Sequence, residues 1–367
     1  MKWWLVLLLA GCDQLFGFTE VPPPNGDASD AHDAAPAGTW SVLAPGTQHV
    51  CGLDIAGYLA CAGQDAAGGN TTVPTRMGDP SKTWSAVSSG PTHSCGILGG
   101  AVYCWGTNTY GELTGTPGAD AMSPQLVPLP IMSYTQVGAG GFHSCALGID
   151  TSVTCWGNSQ QVGGTTGIHV MPGTTFQSLS VGYDHSCAID RNGGVWCWGG
   201  NNHSQIEPCF PGPCEVDTPV NVYFNGNPAI AVSAGGEATC AIIGSNGAGE
   251  VWCRGSGRLL TGGGNDQQGV QMTQGEDWTA VAVGGDTVCA MRGGEAFCWG
   301  RVSAGGIGDG VLTEYVASQA ATFGIPAATL AVTPGGPGVE NACVVANGDA
   351  SCWGPPATPM PVPSPPG

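Results

Sequence analysis

Cysteine offers the richest chemistry in this chain, because a thiol can bind zinc, act as a nucleophile or form a disulfide. The chain has 17 cysteines, and all but one of them fall into eight pairs that are close in sequence. These pairs are Cys51 with Cys61, Cys95 with Cys104, Cys145 with Cys155, Cys187 with Cys197, Cys209 with Cys214, Cys240 with Cys253, Cys289 with Cys298, and Cys343 with Cys352. Paired cysteines in this number are typical of an oxidising compartment and favour disulfides over zinc sites.

Histidine is the second residue type that could bind a metal. Four histidines stand two residues before a paired cysteine: His49, His93, His143 and His185. A zinc site needs its ligands within about 2.0–2.3 Å of one ion, whereas residues that recur once per repeat are spaced apart. We therefore interpret these histidines as framework residues and predict neither a metal nor a cofactor.

A hydrolase would need a serine, a histidine and an acid in one constellation. Serines follow three of the histidines, but they recur as part of the repeat, and no Gly-x-Ser-x-Gly motif occurs. Asp184 precedes His185 directly, and neighbouring residues on a strand point to opposite faces. The sequence therefore predicts that the chain is not an enzyme.

The spacing within the cysteine pairs indicates hairpins. In three pairs the cysteines are nine residues apart, so placing them opposite each other leaves a two-residue turn. Those turns would be Gly99-Gly100, Gly293-Gly294 and Asn347-Gly348. Two-residue hairpins prefer such dipeptides, because both central residues need positive φ. Opposite residues in an antiparallel pair lie about 4.5–5.5 Å apart at Cα, which is compatible with a disulfide. Each pair is therefore predicted to link two strands of one hairpin.

The cysteine pairs also mark an internal repeat. The first cysteines of seven pairs recur every 42 to 54 residues, at positions 51, 95, 145, 187, 240, 289 and 343. Aromatic residues stand eleven positions before five of them, at Trp40, Trp84, Tyr134, Phe176 and Trp278. Each unit reads as a strand, a Gly-rich turn and a two-stranded hairpin that usually ends in Cys-Trp-Gly. This period predicts stacked β-repeats, each contacting its neighbours.

The unit resembles the RCC1 (regulator of chromosome condensation) repeat. Residues 84–95 match the opening Trp-x-x-Val and His-Ser of that repeat, and residues 102–113 match its Trp-Gly-x-Asn-x-x-Gly section. Residues 218–222 and 358–362 match its Thr-Pro strand. The resemblance covers residues 40–363 and implies an all-β, seven-bladed β-propeller of RCC1-like repeats with about one disulfide per blade. The Pro-rich end would be the last strand of the seventh repeat, or otherwise a disordered tail.

Four positions depart from the repeat. The first unit has Ala62 and the fifth has Arg254 where the tryptophan of Cys-Trp-Gly is expected. The fifth and sixth units carry Ala238 and Thr287 in place of the histidine. The sequence offers no functional account of these losses.

The charge of the chain excludes one class of partner. The formal net charge is −19, and only eight residues are Lys or Arg, none of them adjacent. Binding to nucleic acid requires several cations that neutralise phosphates. We therefore expect no nucleic-acid partner, and the acidic surplus would favour a cationic one.

The N-terminus indicates export. Lys2 is followed by an apolar run over residues 3–10, which is far shorter than the roughly 20 residues a membrane helix needs. The run ends in Leu-Ala-Gly-Cys12, which resembles the lipobox of bacterial lipoproteins. The resemblance implies a signal peptide over residues 1–11, lipidation of Cys12 and an anchored location in the periplasm or on the cell surface. Residues 12–39, rich in Pro, Asp and Ala, are predicted to be a disordered tether, and residues 40–367 the propeller.

The variable connections are where binding residues are expected, because fold alone does not give function. The candidate contacts are Tyr110, His203, Phe210 and Tyr223. Phe210 lies between Cys209 and Cys214, whose bridge would stiffen that loop. We expect a monomeric, non-enzymatic binding or scaffold propeller that holds a protein or glycan at the cell envelope.

Three other functions remain open at this point. Resemblance to propellers of this type suggests either a secreted β-lactamase inhibitor or a guanine-nucleotide exchange factor for a small GTPase. An envelope enzyme that cleaves glycans is the third alternative.

Overall fold

A computed structural model describes most of the repeat region. It covers residues 38–64, 71–79, 81–158, 169–170, 175–208, 215–225, 228–246, 248–261, 267–273, 277–285, 287–300, 329–335, 341–353 and 360–365. The predicted signal peptide, Cys12, most of the tether and the loop with Cys209, Phe210 and Cys214 lie outside the described residues.

The described strands form seven antiparallel blades. Those of the first four blades are β1 (Trp40–Pro45), β2 (His49–Asp54), β3 (Leu59–Gly63), β4 (Thr71–Arg76), β5 (Trp84–Ser89), β6 (His93–Leu98), β7 (Ala101–Gly106), β8 (Ala121–Leu126), β9 (Tyr134–Ala139), β10 (His143–Gly148), β11 (Val153–Gly157), β12 (His169–Val170), β13 (Phe176–Val181), β14 (His185–Asp190), β15 (Val195–Gly200) and β16 (Glu215–Val222).

The last three blades contain the remaining strands and a short helix. These elements are β17 (Ala229–Ala234), β18 (Ala238–Ser245), β19 (Ala248–Gly255), α1 (Gly257–Leu260), β20 (Gln267–Gln271), β21 (Trp278–Val283), β22 (Thr287–Arg292), β23 (Glu295–Gly300), β24 (Thr329–Val332), β25 (Ala342–Ala346), β26 (Asp349–Trp353) and β27 (Met360–Val362).

Strand order within a blade follows chain order, with the first strand innermost. Five blades are separate four-stranded sheets. The fifth and sixth blades are joined into one larger sheet by a single residue pair, Gly249 with Trp278. The described part of the sixth blade has three strands, β21 to β23. The prediction of an all-β, seven-bladed propeller is confirmed.

The hairpins have the predicted register. All six residues of the three predicted turns have positive φ, between 53° and 89°. Cys187 lies opposite Cys197, and Ile189 opposite Val195 on the same face. The cysteine spacing thus fixed which residues of the two strands face each other.

Seven of the eight predicted disulfides are present, and each links the second and third strands of its own blade. Their Cα atoms lie 4.0–4.1 Å apart. The bonded pairs are Cys51 with Cys61, Cys95 with Cys104, Cys145 with Cys155, Cys187 with Cys197, Cys240 with Cys253, Cys289 with Cys298, and Cys343 with Cys352. The eighth predicted bridge, Cys209 with Cys214, lies outside the described residues and stays a prediction.

The hydrophobic core is divided into seven clusters, one between each pair of neighbouring blades. In the second cluster along the ring, the Cys95–Cys104 disulfide packs with Tyr134 and Trp156 of the following blade. Blades that stack face to face bury both sides of each sheet, which explains why both faces of these strands are apolar.

The ring is closed by contacts between the two ends of the repeat region. The backbone N–H of Gly38 donates to the carbonyl of Pro365 at 3.0 Å, and the indole N–H of Trp40 donates to that of Pro363, also at 3.0 Å. The strand β27 pairs with β26. Of the two interpretations of the Pro-rich end, the structure thus shows the final strand.

Seven disulfides indicate an oxidising environment and hence an exported protein. Within the described ranges, no helix has the length and apolar character needed to cross a bilayer.

Candidate functional site: the loop face of the ring

The two ends of the ring are built from different connections. One end, here called the loop face, carries the turns between first and second strands and the loops between third and fourth strands. The other end, the hairpin face, carries the hairpins and the connections from blade to blade. The predicted contact Tyr110 follows β7 and lies on the loop face, whereas Tyr223 follows β16 and lies on the hairpin face.

A series of hydrogen bonds between blades lies just beneath the loop face. Each repeated histidine begins the second strand of its blade, and its Nε2 lies 2.8 Å from a hydroxyl of the following blade. The four pairs are His49–Ser94, His93–Ser144, His143–Ser186 and His185–Thr239. Each histidine therefore joins two neighbouring blades, and the four do not converge on one centre.

Burial keeps the imidazoles of His49 and His93 neutral at physiological pH. It lowers the pKa of His49 from 6.5 to about 4. It lowers the pKa of His93 to about 3, with smaller contributions from the charges of His143 and His49. A neutral imidazole has one donor and one acceptor nitrogen, so it can pair with a hydroxyl without any counter-ion.

The glycine of Cys-Trp-Gly allows the third strand to approach the histidine turn. Gly106 has a φ of 105°, a conformation that L side chains rarely adopt. A Cβ at this position would lie 2.5 Å from the carbonyl oxygen of Thr92 and 2.7 Å from the Cα of His93. Any other residue would therefore displace the histidine from its inter-blade bond.

One histidine also contacts a carboxylate. Asp184 Oδ1 lies 3.3 Å from His185 Nδ1, while His185 Nε2 lies 2.8 Å from Thr239 Oγ1. The expectation that Asp184 and His185 face apart is wrong, because Asp184 lies in the turn before β14 rather than within the strand. The array has the order of a hydrolytic triad. However, Thr239 and His185 have no exposed surface, so a substrate cannot reach the hydroxyl.

The remaining three interfaces lack the histidine. Ala238 and Thr287 occupy its position in the fifth and sixth blades, and the Thr287 hydroxyl is buried without a hydrogen-bond partner among the described residues. In the seventh blade Asn341 precedes β25. Its Nδ2 donates to the carbonyls of Gly46 at 2.7 Å and Thr47 at 3.1 Å, and so closes the ring to the first blade.

Arg254 stands where the tryptophan of Cys-Trp-Gly is expected in the fifth blade. Like Trp156 in the third blade, it donates a hydrogen bond to a backbone carbonyl of the preceding blade. Trp156 Nε1 donates to the carbonyl of Glu112, in the loop of the preceding blade, at 2.7 Å. Arg254 Nε likewise donates to the carbonyl of Ser204 at 3.4 Å. Arg254 is buried, and this desolvation lowers the pKa of its guanidinium, while the charge of Glu207 opposes the shift.

Two loops of the loop face are folded by an asparagine at their start. Asn108 Oδ1 accepts the backbone N–H of Leu113 at 3.0 Å, and Asn201 Oδ1 accepts that of Ile206 at 2.8 Å. Both asparagines are buried. Side-chain acceptors of this kind satisfy the backbone of a tight loop and fix its shape.

Glu112 and Gln205 occupy the same position in these two loops. Glu112 Oε2 accepts the backbone N–H of Tyr110 at 2.7 Å, and Gln205 Oε1 accepts that of His203 at 2.8 Å. Gln205 Nε2 donates in addition to Asp184 at 3.4 Å. The other oxygen of Glu112 is buried without a partner in the described part of the chain, and burial raises the pKa of this carboxyl group. Glu112 and Gln205 thus fix the backbone of the residue two positions earlier, Tyr110 or His203, and thereby orient its side chain.

Three aromatic rings form a continuous strip across blades two to four. The centroid of Tyr110 lies 5.2 Å from that of Phe142, which lies 5.3 Å from that of Tyr183. Both pairs are edge-to-face, with planes inclined at 66°. Tyr110 is 44% exposed, and the other two rings are partly exposed. We call these three residues the aromatic strip.

His203 occupies the position equivalent to Tyr110 two blades further on. Its Nε2 lies 3.6 Å from Glu237 Oε1, and Glu237 corresponds in position to Phe142. The same two positions thus form a ring contact at one interface and a contact between an imidazole and a carboxylate at another. Sequence reasoning missed Phe142 and Tyr183, although both lie in the turn just before a repeated histidine.

The centre of the ring is a narrow channel of about 220 Å³, bordered by the first strands of all seven blades. Its described lining consists of aliphatic side chains, backbone and serines. Three of these serines, Ser88, Ser180 and Ser233, accept a backbone N–H of the following blade. The serines that line the channel therefore link the inner strands of neighbouring blades.

In the part of the chain that the structure describes, no group of three or more His, Cys, Asp and Glu side chains could hold a metal ion.

Comparison with known proteins agrees with this architecture. Two segments match family models described as the regulator of chromosome condensation (RCC1) repeat, over residues 99–147 and 176–205. No curated protein matches the chain in sequence. The fold defines a β-propeller built from disulfide-linked blades, and the matched segments make this chain an RCC1-like repeat protein.

Solved structures show the same fold at low sequence identity. Human WBSCR16 is 17% identical with a TM-score of 0.75, covering 92% of this chain and 97% of its own. Yeast RCC1 (Prp20), solved bound to Kap60, is 17% identical with a TM-score of 0.68, covering 85% and 79%. The CRINKLY WD40 ectodomain of the Arabidopsis thaliana receptor kinase ACR4 is 23% identical with a TM-score of 0.57, covering 89% and 99%.

Proposed function

We propose that this chain is a non-enzymatic binding propeller, tethered to the bacterial envelope, that holds a protein or glycan through the variable connections of its loop face. The aromatic strip is the observation that carries this proposal. Three neighbouring blades place partly exposed rings side by side, and aromatic side chains are enriched at the energetic centres of protein interfaces.

The rigidity of the ring supports a binding role. Each blade of the ring carries a disulfide, and the histidine bonds fix the loop-face ends of blades one to five. A preorganised surface loses less conformational entropy on binding, which favours affinity. The ring can thus present variable loops at fixed positions.

Two further observations support a role without catalysis. The array that most resembles a catalytic constellation, Asp184 with His185 and Thr239, has a hydroxyl with no exposed surface. Structures of the same fold include yeast RCC1 bound to Kap60, and the work on Prp20p describes its binding to Gsp1p and histones. These neighbours support the use of such a ring as a protein-binding scaffold.

Envelope tethering is proposed from the lipobox-like motif that ends at Cys12. Lipidation of this cysteine would retain the protein in the membrane fraction, and Cys12→Ser would release it into the soluble fraction. Mass spectrometry of the N-terminal peptide tests the modification directly. An unmodified Cys12, or wild-type protein in the soluble fraction, would contradict the anchor.

The binding role is tested by proximity crosslinking of the exported, oxidised full chain in envelope extract. A matched sample of the same protein, reduced and alkylated, serves as the control because it loses the disulfides that hold each blade. We expect a reproducible partner that is recovered with the oxidised protein and absent from the control. Recovery of the same set of molecules from both samples, or of none, would overturn the proposal.

A further inference from the structure

Negatively charged side chains border the aromatic strip. Asp184 follows Tyr183 directly and retains 21% of its side-chain surface, and Glu237 retains 20%. Glu207, in the loop of the fourth blade, is exposed. Carboxylates therefore border the strip on the side of blades four and five.

The solvent-accessible cations whose side chains the structure describes lie at the other end of the ring. They are Arg76, Lys82, Arg191 and Arg292. On the loop face, the described side chains include one Lys or Arg, Arg254, and this residue is buried. The loop face thus presents aromatic rings and carboxylates without an exposed cation among the side chains described there.

We propose that the aromatic strip and its neighbouring carboxylates bind a Lys- or Arg-bearing segment of a partner protein. This inference rests on the proposed binding function and assigns the chemical class of the partner. A cation is attracted to the face of an aromatic ring within about 6 Å of its centroid. Carboxylates at the border attract the same cation, and the net charge of −19 steers it towards the protein.

The polar side chains beside the strip favour a cation over a sugar. Sugar hydroxyls both donate and accept hydrogen bonds, and free amides can partner both, whereas carboxylates only accept. Here Asn108 already donates to the carbonyl of Thr116 at 3.3 Å, and Asn201 donates to that of Glu207 at 2.9 Å. Gln205 uses both ends of its amide within the loop face. The amides nearest the strip therefore hold the loops.

The test measures the affinity of the full oxidised chain for a fluorescein-labelled nonapeptide of lysine. The strip variant carries Tyr110→Leu and Tyr183→Leu, which keep apolar bulk but remove the ring faces. The control, Tyr223→Leu, removes a tyrosine on the hairpin face that is more exposed than Tyr110, 69% against 44%. All three proteins have the same charge, so non-specific attraction of the peptide is equal among them.

We expect the strip variant to bind the peptide about tenfold more weakly than the wild type, since each exposed ring contributes a modest cation–π attraction. The Tyr223→Leu protein should match the wild type. Equal affinity for all three proteins would show that only net charge attracts the peptide, and would overturn the inference. Preferential binding of a neutral oligosaccharide by the wild type, lost in the strip variant, would also overturn it.

The outcome can be separated from that of the proposed function. If envelope crosslinking captures a partner equally with the wild type and the strip variant, the chain is a binding propeller and this inference about its surface is wrong. If crosslinking captures nothing from the correctly folded chain, the binding function itself fails.

Discussion

Two arcs of the ring hold their blades together differently at the same structural position. From the first blade to the fifth, a histidine bonds to a hydroxyl across each interface at 2.8 Å. From the fifth blade to the seventh, that position holds Ala238 and Thr287. At the closing interface, Asn341 of the seventh blade donates to the carbonyls of Gly46 and Thr47 of the first. We call blades one to five the histidine arc and blades five to seven the bare arc. A disulfide is present in every blade of both arcs.

Comparison of the two arcs distinguishes the interactions that build a blade from those that align neighbouring blades. The disulfide and the apolar cluster beside it occur in both arcs, so they suffice to form each sheet and stack it. The histidine adds a directional bond at the loop-face end. Phe142 precedes His143 directly, and Tyr183 lies two residues before His185. The histidine arc therefore sets the spacing of the aromatic strip.

Acidification gives the largest expected effect on this comparison. The unfolded chain protonates an imidazole near pH 6.5, whereas the pKa is about 4 for folded His49 and about 3 for His93. Between these values the unfolded state binds more protons, so the folded state loses stability as the pH falls. We expect a loss on the order of 2 kcal/mol for each of these two histidines, and thus about 4 kcal/mol for both, between pH 7 and pH 4.5, measured by denaturant unfolding.

The control for this prediction is His93→Gln, which cannot titrate in this range. Carboxylates contribute to the pH dependence of both proteins and cancel in the difference between them. The variant should therefore lose less stability on acidification than the wild type. Parallel curves for the two proteins would contradict a neutral, buried His93.

Removal of a disulfide should affect both arcs equally. Cys95–Cys104 lies in the histidine arc and Cys289–Cys298 in the bare arc, and both join residues nine apart. Replacing either pair by alanines should lower the free energy of unfolding by about 3 kcal/mol, because a loop of this length loses its closure constraint in the unfolded state. Thermal unfolding of the two variants measures this. A large difference between them would show that the blades are not equivalent at this level.

Loss of the residue at the histidine position should distinguish the arcs. His93→Ala removes the bond to Ser144 and leaves a cavity, which we expect to cost about 2 kcal/mol of folding stability. Thr287→Ala removes a hydroxyl that has no partner among the described residues, so its effect should be below about 0.5 kcal/mol. Urea unfolding of both variants compares the costs. Similar losses would remove the basis for the two arcs.

Exchange of the acid and the amide in the two loops should give a smaller effect than loss of a repeated histidine, with opposite signs at the two positions. Glu112→Gln removes a buried charge, one oxygen of which is unpaired within the described ranges, and should stabilise the fold by about 1 kcal/mol at pH 7. Gln205→Glu places a carboxylate beside Asp184, 3.4 Å away, and should destabilise it by a similar amount. Unfolding at pH 7 measures both. Shifts of the same sign would contradict the geometry of these loops.

The hairpins and disulfides could be predicted from the sequence because they depend on local pattern. A dipeptide such as Asn347-Gly348 fixes the turn, and the turn fixes which cysteines face each other. The histidine bonds could not be predicted, because the partner hydroxyl of His93 lies in the next repeat and its distance depends on blade stacking. Asp184 was misjudged because a strand rule was applied to a residue that precedes the strand.

The aromatic strip could not be predicted from the sequence either. Tyr110 was singled out because it lies in a variable loop, but Phe142 and Tyr183 belong to turns of two other repeats. Only the stacking of neighbouring blades brings Tyr110 and Tyr183 each to within about 5 Å of Phe142, measured between ring centroids. The same folding places Tyr223 at the opposite end, apart from the strip.

The central claim is that the loop face of the histidine arc is the binding surface. Hydrogen exchange of the intact oxidised chain, with and without its captured partner, tests this most directly. We predict slower exchange over residues 107–113, 140–142 and 182–184 in the complex, and unchanged exchange over residues 190–194. Protection confined to residues 190–194 and 222–224, on the hairpin face, would contradict the account.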